Sequence, residues 1–209
     1  MCNIRRIGLR SKCLAATALL IASLSASPGI LAADGGRYQN WYPSSIAMPG
    51  GLRYPCALSP LPPTLKGIPK EDKRYINHVY AMILKCVQAK TAMVAKLNDP
   101  QRVTAAYSKY YYATRAAADK IRKEPTPRGL EGFRNKVLKA IGLQMAFFDK
   151  ASKQSKAQVP FQKIMTIPEG KQASNMLISA WGEMTSRYPG WSQATKDSIY
   201  HHLCALDLF

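Results

Sequence analysis

The fold is decided by residues 69–98, PKEDKRYINHVYAMILKCVQAKTAMVAKLN. One set of positions in this stretch recurs at steps of three and four, which is the spacing of one face of an α-helix. These positions hold Ile76, Val79, Ile83, Cys86, Val87, Lys90, Val94 and Leu97. Pro69 followed closely by two acids is typical of a helix start. The stretch therefore predicts a long helix whose largely apolar face must pack against other elements.

Four later segments repeat this periodicity. They cover residues 100–123, 130–154, 169–188 and 193–208. Asp99 and Ser192 precede two of these segments, and both are residue types that cap helix starts. No run of alternating β-branched residues competes with the helical pattern. Because the connections are short, we expect an all-α bundle of four to five antiparallel helices over residues 69–209.

The first 33 residues have the layout of a secretory signal peptide. Residues 1–13 are basic and contain no acid, an apolar run follows, and Ser27-Pro28-Gly29 precedes the small residues Ala32 and Ala33. The apolar run is shorter than the roughly 20 residues that span a membrane. We expect cleavage near Ala32 or Ala33, a periplasmic or secreted location, and no transmembrane span in the mature chain.

Residues 34–68 are rich in proline and glycine. Proline removes an amide donor and disfavours helix in the residue before it. Aromatic residues such as Trp41, Tyr42 and Tyr54 recur in the segment, although a free linker would not need them. We therefore expect an irregular, extended arm that packs on the helical domain, rather than a disordered tail.

Charge is strongly positive and unevenly placed. Without residues 1–33 the chain has 26 Lys and Arg against 12 Asp and Glu, a net charge of +14. Residues 69–160 carry 19 basic residues against 7 acids, whereas residues 161–209 carry four of each. This balance favours an anionic partner, either an acidic protein or an anionic polymer or lipid of the cell envelope. Export makes a role with genomic nucleic acid unexpected.

Nine basic residues of the first three predicted helices are the candidate binding residues. They are Lys85, Lys90, Lys96, Lys109, Arg115, Lys120, Arg122, Lys136 and Lys139. Tyrosines interleave with bases in residues 107–115, YSKYYYATR, and such a pattern can bind ligands by stacking. At helical spacing Tyr107 and Tyr110 belong to the core face, and only Tyr112 points clearly outward. Core packing is therefore the favoured interpretation of these tyrosines.

Three cysteines, Cys56, Cys86 and Cys204, follow the signal segment. In an oxidising compartment one disulfide and one remaining thiol are expected. Sequence alone does not fix the pairing. The position of Cys86 on the apolar helix face slightly favours Cys86–Cys204, and Cys56–Cys204 is the close alternative because it would anchor the arm.

The stretch SIYHHLCALDLF, residues 198–209, contains the residues most suited to a metal-binding or catalytic site. His201 and Cys204 share a helix face and could supply two metal ligands, but a zinc site needs at least three. A nucleophilic Cys204 would need a positioned base and an oxyanion site, and no motif supplies them. The sequence also lacks a phosphate-binding glycine loop, a G-x-S-x-G motif and a CxxC motif, and it implies no cofactor.

These observations predict an exported, non-catalytic helical binding protein. An inhibitor, an immunity-type protein and a chaperone-like protein all fit this description. The alternatives are an enzyme or metal-binding protein that uses His201, His202 and Cys204, and a structural component of the envelope.

Overall fold

The computed structural model describes residues 46–47, 53–54 and 60–207. Six helices occur in these residues: α1 Lys70–Val94, α2 Val103–Lys123, α3 Glu131–Lys156, α4 Phe161–Ile164, α5 Pro168–Arg187 and α6 Gln193–Leu206. The remaining regular structure is an antiparallel pair of two-residue strands, β1 Ile46–Ala47 and β2 Arg53–Tyr54. Residues 60–207 are therefore helical and contain no strand, as the sequence predicts. The segment 1–33 lies outside the described residues.

Consecutive long helices run antiparallel. Arg74 near the start of α1 pairs with Glu124 just after the end of α2, at 2.8 Å. Tyr110 of α2 packs edge-on against Phe148, which lies near the end of α3, with ring centroids 4.6 Å apart. Ion pairs also join the two ends of α3 to the opposite ends of α5: Lys136 with Glu183, and Lys150 with Glu169.

The apolar faces meet in two clusters of buried side chains. The larger cluster joins α1, α2, α3, α5 and α6. Its members include Ile76, Ile83, Phe133, Leu177 and Leu203. The smaller cluster lies where α1 ends and α2 begins, and Phe147 and Phe148 of α3 fill it. Most of the apolar positions predicted from helical spacing are buried in these clusters.

Two connections differ from the sequence prediction. The break predicted between the third and fourth long helices contains the four-residue helix α4, and the boundaries at the first connection are shifted. The first helix ends at Val94 rather than near residue 98, and the second begins at Val103 rather than at Pro100. Asp99 Oδ1 accepts a hydrogen bond from the Arg102 amide at 3.1 Å. The side chain of Asp99 thus caps a separate turn that precedes α2. Ser192 is confirmed as the cap of α6, since its Oγ accepts from the amide of Thr195.

The last ten residues before α1 pack along that helix without being helical. The amide of Leu61 donates to Asn77 Oδ1 at 2.7 Å. Lys73 Nζ donates to the carbonyl oxygens of Pro63 and Leu65 at 2.7 and 3.1 Å. Leu61 itself is buried in the larger cluster. Apart from the strand pair, the rest of the predicted arm lies outside the described residues.

A polar network joins the start of α1 to the end of α5. Asp72 is buried, and its Oδ2 accepts hydrogen bonds from Tyr188 Oη and from Arg187 Nη2, the latter at 3.1 Å. The same nitrogen of Arg187 donates to the carbonyl oxygen of Arg128 at 2.9 Å. Burial, followed by the bond to Asp72, raises the pKa of Tyr188 to about 12. The network therefore also fixes the α2–α3 connection.

Candidate functional site

The nine candidate basic residues are not equivalent in the structure. Lys90 is buried, and Lys96 and Lys136 are half-buried. The six exposed residues are Lys85, Lys109, Arg115, Lys120, Arg122 and Lys139. The basic surface available to a partner is therefore smaller than the predicted one.

The structure contradicts the predicted binding role of Lys90. Its side chain is 3% exposed, and Nζ donates to the carbonyl oxygens of Ala205, Leu206 and Asp207 at 2.6, 3.1 and 2.6 Å. These carbonyls end α6, where a cation interacts favourably with the helix dipole. Lys90 therefore anchors the end of α6 on α1 and is removed from the candidate surface.

Two further candidates bind acids within the protein. Arg122 pairs with Asp119 at 2.5 Å, one turn away on α2. Lys136 of α3 pairs with Glu183 of α5. A carboxylate so close partly neutralises each cation, and both side chains are held in one geometry. These two residues contribute to the positive potential less than their sequence positions suggest.

Three exposed lysines of α1 and α2 have no such neutralisation. Within residues 60–207, no carboxylate lies at ion-pair distance from Lys85, Lys109 or Lys120. The acids nearest to Lys120 along the chain are Asp119 and Glu124, and arginines bind both of them. The two acids closest to Lys120 in sequence are therefore paired with arginines rather than with this lysine.

The same two helices enclose a groove of about 410 Å³. Its lining residues are Lys85, Gln88 and Ala89 of α1, and Ala113, Ala116, Ala117 and Lys120 of α2. We call it the alanine groove. An alanine side chain ends at Cβ, so alanines on both facing helices leave a depression that larger side chains would fill. The groove is apolar along its centre and carries a lysine from each helix.

Helical spacing relates Lys109 to the α2 side of the alanine groove, whereas the ring of Tyr112 packs edge-on against Tyr111, with centroids 5.5 Å apart. Lys109, Ala113, Ala116 and Lys120 are spaced four, three and four residues apart, so they share one face of α2. Tyr112 is three residues after Lys109 and four before Ala116, which places it on the shoulder of that face. It is 68% exposed, more than any other large hydrophobic side chain among the described residues.

The other tyrosines of this stretch have structural roles. Tyr110 is buried against Phe148, which confirms the core interpretation. Tyr107 and Tyr111 are half-buried. Arg115 Nη1 donates to Tyr111 Oη at 3.0 Å and its guanidinium lies over the Tyr111 ring. Arg115 is thus held by its own helix.

Lys96 and Lys139 do not line the groove. Lys96 is in the turn that follows α1, and Lys139 is on the exposed side of α3. Of the nine predicted residues, Lys85 and Lys120 line the alanine groove, and Lys109 shares the groove face of α2 by helical spacing. The sequence analysis did not identify this groove.

The structure separates His202 from His201 and Cys204, which are both half-buried one turn apart on α6. His202 is buried, and its ring stacks on Tyr80 with centroids 3.9 Å apart. Its Nδ1 lies 2.8 Å from the carbonyl oxygen of Ser198, which can only accept, so Nδ1 carries the hydrogen. Burial lowers the pKa of His202 to about 4. Within the described residues, no group of three or more His, Cys, Asp and Glu side chains could hold a metal ion.

Cys86 is a free thiol in the structure, so the favoured Cys86–Cys204 disulfide is not formed there. Cys86 is 1% exposed, and burial raises the pKa of its thiol to about 12. A thiol that stays protonated in a closed core reacts poorly. The alternative, Cys56–Cys204, involves Cys56, which lies outside the described residues, and stays a prediction.

Comparison of the chain with protein-family models, with curated proteins and with solved structures found no match. Among the described residues, no helix is both long enough and apolar enough to cross a membrane.

Proposed function

We propose that this chain is an exported, non-catalytic protein that binds an acidic protein through the surface formed by α1 and α2. One observation carries the proposal. Lys85 and Lys120 line an apolar groove, Lys109 shares the groove face of α2 by helical spacing, and the two acids closest to Lys120 in sequence are bound to arginines instead. Unneutralised charge on one face costs stability by self-repulsion. A binding role accounts for that cost.

The apolar features favour a protein over a polymeric anion. A polyanion would use the lysines and would gain little from the apolar alanine groove. Protein interfaces combine a central apolar patch with a polar rim. Rim lysines would steer an acidic partner and raise the association rate.

Export is part of the proposal and rests on residues 1–33. Roles that fit an exported basic binding protein are an inhibitor, an immunity-type protein or a chaperone-like protein. Mass spectrometry of the protein recovered from cells that express the full chain tests export directly. A mature chain that begins near residue 33 or 34 in the periplasm or medium supports it, and an intact N terminus in the cytoplasm contradicts it.

For the exported chain we also propose a Cys56–Cys204 disulfide. The closed, protonated thiol of Cys86 makes it the cysteine left over, and half-buried Cys204 is the accessible one of the described pair. Peptide mapping after alkylation without reduction tests this pairing. A peptide in which Cys86 is linked to either of the other cysteines would overturn it.

The binding proposal is tested by capture from the envelope fraction at low ionic strength, using the protein expressed from the full chain. The lysine triple variant, Lys85→Glu with Lys109→Glu and Lys120→Glu, is compared with the wild type. Its matched control carries the same charge change on other exposed lysines: Lys156→Glu, Lys163→Glu and Lys171→Glu.

We expect the wild type and the control to retain one acidic protein near one-to-one, and the lysine triple variant to lose it. Raising salt to about 0.5 M should release the partner, because screening shortens the range of surface charges. Equal capture by the triple variant and the wild type would contradict the proposal. Capture of lipid or polysaccharide without a protein would replace it with envelope attachment, and stable self-association with no capture would indicate a structural component.

A further inference from the structure

The alanine groove lies between two helices and is lined mainly by small side chains. Lys109 and Lys120 are 11 residues apart on one face of α2, which is about 16 Å along the helix axis. Ala113 and Ala116 lie between them, and Ala89 of α1 forms the opposite wall. Small side chains on two neighbouring helices allow a third helix to approach closely, at roughly 8–10 Å between axes.

We propose that the alanine groove is the docking site for an amphipathic acidic helix of the partner protein. This inference rests on the proposed function and specifies how the partner is recognised. The apolar face of the incoming helix lies over Ala89, Ala113 and Ala116. Its carboxylates reach Lys109 and Lys120, so they are spaced by about three helical turns. Lys85 meets a further acid from the α1 side.

Charge and shape together favour this occupant over the others. Ala113 and Ala116 are exposed along the open side of the groove, so a single acyl chain laid there would keep much of its surface in water. A helix brings side chains that cover both walls. The chain's own segment 35–59 does not complement the groove, because it contains two arginines and no acid.

The test uses a designed probe, because the partner is not identified. The probe is a fluorescein-labelled peptide of about five helical turns, with Glu at two positions 11 apart and Ala and Leu between them at steps of three and four. The control peptide has the same composition in scrambled order. Binding to the protein produced from the full chain is measured by fluorescence anisotropy at low salt.

Two protein variants separate the groove from the charge. The groove-filling variant, Ala113→Gln with Ala116→Gln, adds bulk without changing net charge, and Gln is nearly as good a helix former as Ala. Its matched control is Ala146→Gln with Ala194→Gln, which alters exposed alanines of α3 and α6. Circular dichroism and thermal unfolding establish that all variants are folded.

We expect the designed peptide to bind about tenfold more tightly than the scrambled one, and the groove-filling variant to lose about tenfold in affinity while its control loses nothing. The lysine triple variant should abolish binding. Equal binding of the two peptides, or no effect of groove filling, overturns the inference. If the lysine triple variant loses capture of the envelope partner but the peptide results fail in this way, the docking of a helix is wrong and the proposed function still holds. Insensitivity to the lysine triple variant in both assays overturns both.

Discussion

Lys90 of α1 is a buried cation that anchors the end of another helix. The structure places it in the interior with all three ammonium hydrogens directed at carbonyls of residues 205–207. Gln144 Nε2 also donates to the carbonyl oxygen of Leu206, and Ser174 donates to Asp207. The end of α6 is thus held by side chains from α1, α3 and α5.

Replacing this ammonium should destabilise the protein strongly. Lys90→Met keeps most of the side-chain volume but leaves three carbonyls without their charged donor, which should lower the free energy of unfolding by about 3 kcal/mol. The matched control is Lys85→Met on the same helix, an exposed substitution expected to change it by about 0.5 kcal/mol or less. Urea unfolding measures both. Equal costs would show that Lys90 is not an anchor.

His202 predicts a specific pH dependence. Its pKa is about 4 in the folded protein and about 6.5 when unfolded, so the unfolded state binds more protons between these values. Stability is therefore fully present above pH 6.5 and falls as pH drops towards 4, by about 3 kcal/mol. The neighbours of the ring are Tyr80 on α1 and His201 on α6.

The variant His202→Phe keeps an aromatic ring on Tyr80 and removes the titration. We expect it to be less stable than wild type at pH 7.5, because the hydrogen bond to Ser198 is lost. Between pH 7.5 and 4.5, however, its free energy of unfolding should fall by about 2–3 kcal/mol less than that of the wild type. Urea titrations at several pH values measure the slopes. Parallel pH profiles for the two proteins would show that His202 does not cause the loss.

At the scale of elements, the α2–α3 connection depends on one glycine. Gly129 has φ +85°, and a Cβ there would lie 2.2 Å from Arg187 Nη1. Its amide donates to Glu131 Oε2 at 2.6 Å, and this bond contributes to lowering the pKa of Glu131. The turn therefore needs a residue without a side chain, so that Arg187 can reach both Arg128 and Asp72.

The substitution Gly129→Ala should destabilise by about 1–2 kcal/mol, since it strains the backbone and displaces the Arg187 guanidinium. The control Gly142→Ala lies in the interior of α3 with nothing within 4 Å of the added Cβ. It should be neutral or stabilise by up to about 1 kcal/mol. Thermal and urea unfolding report both signs. Substitutions that change stability in the same direction by the same amount would refute the role of this turn.

Sequence periodicity was sufficient to locate the five long helices, because each needs one apolar face and consecutive helices joined by short turns pack antiparallel. It misplaced the start of α2, because Asp99 caps a turn three residues earlier, and both arrangements satisfy the same residue preferences. Only the α2 side of the alanine groove could be predicted from the sequence. Lys109, Ala113, Ala116 and Lys120 share a face by spacing, but Lys85 and Ala89 join them only once the packing angle of α1 on α2 is known.

At the scale of the whole molecule, the net charge of +14 without residues 1–33 connects stability to binding. Self-repulsion among lysines that no acid balances lowers the stability of the free protein, and an acidic partner removes that repulsion. Stability and affinity should therefore respond in opposite directions to loss of the same charges. This coupling distinguishes lysines retained for a partner from lysines that support the fold.

Replacing Lys85 and Lys109 together by Gln should stabilise the free protein and weaken its binding to an acidic partner. Lys120 is left unchanged, because it lies in the last turn of α2, where a cation is stabilising. At low salt the double variant should be more stable than wild type by about 0.5 kcal/mol, and the difference should vanish at about 0.5 M NaCl, where screening removes the repulsion. The same variant should bind the acidic partner more weakly.

The control Lys163→Gln with Lys171→Gln, in the charge-balanced part of the chain, should change neither property. A double variant that is less stable than wild type at low salt would mean that these lysines support the fold, and the cost attributed to them would not exist.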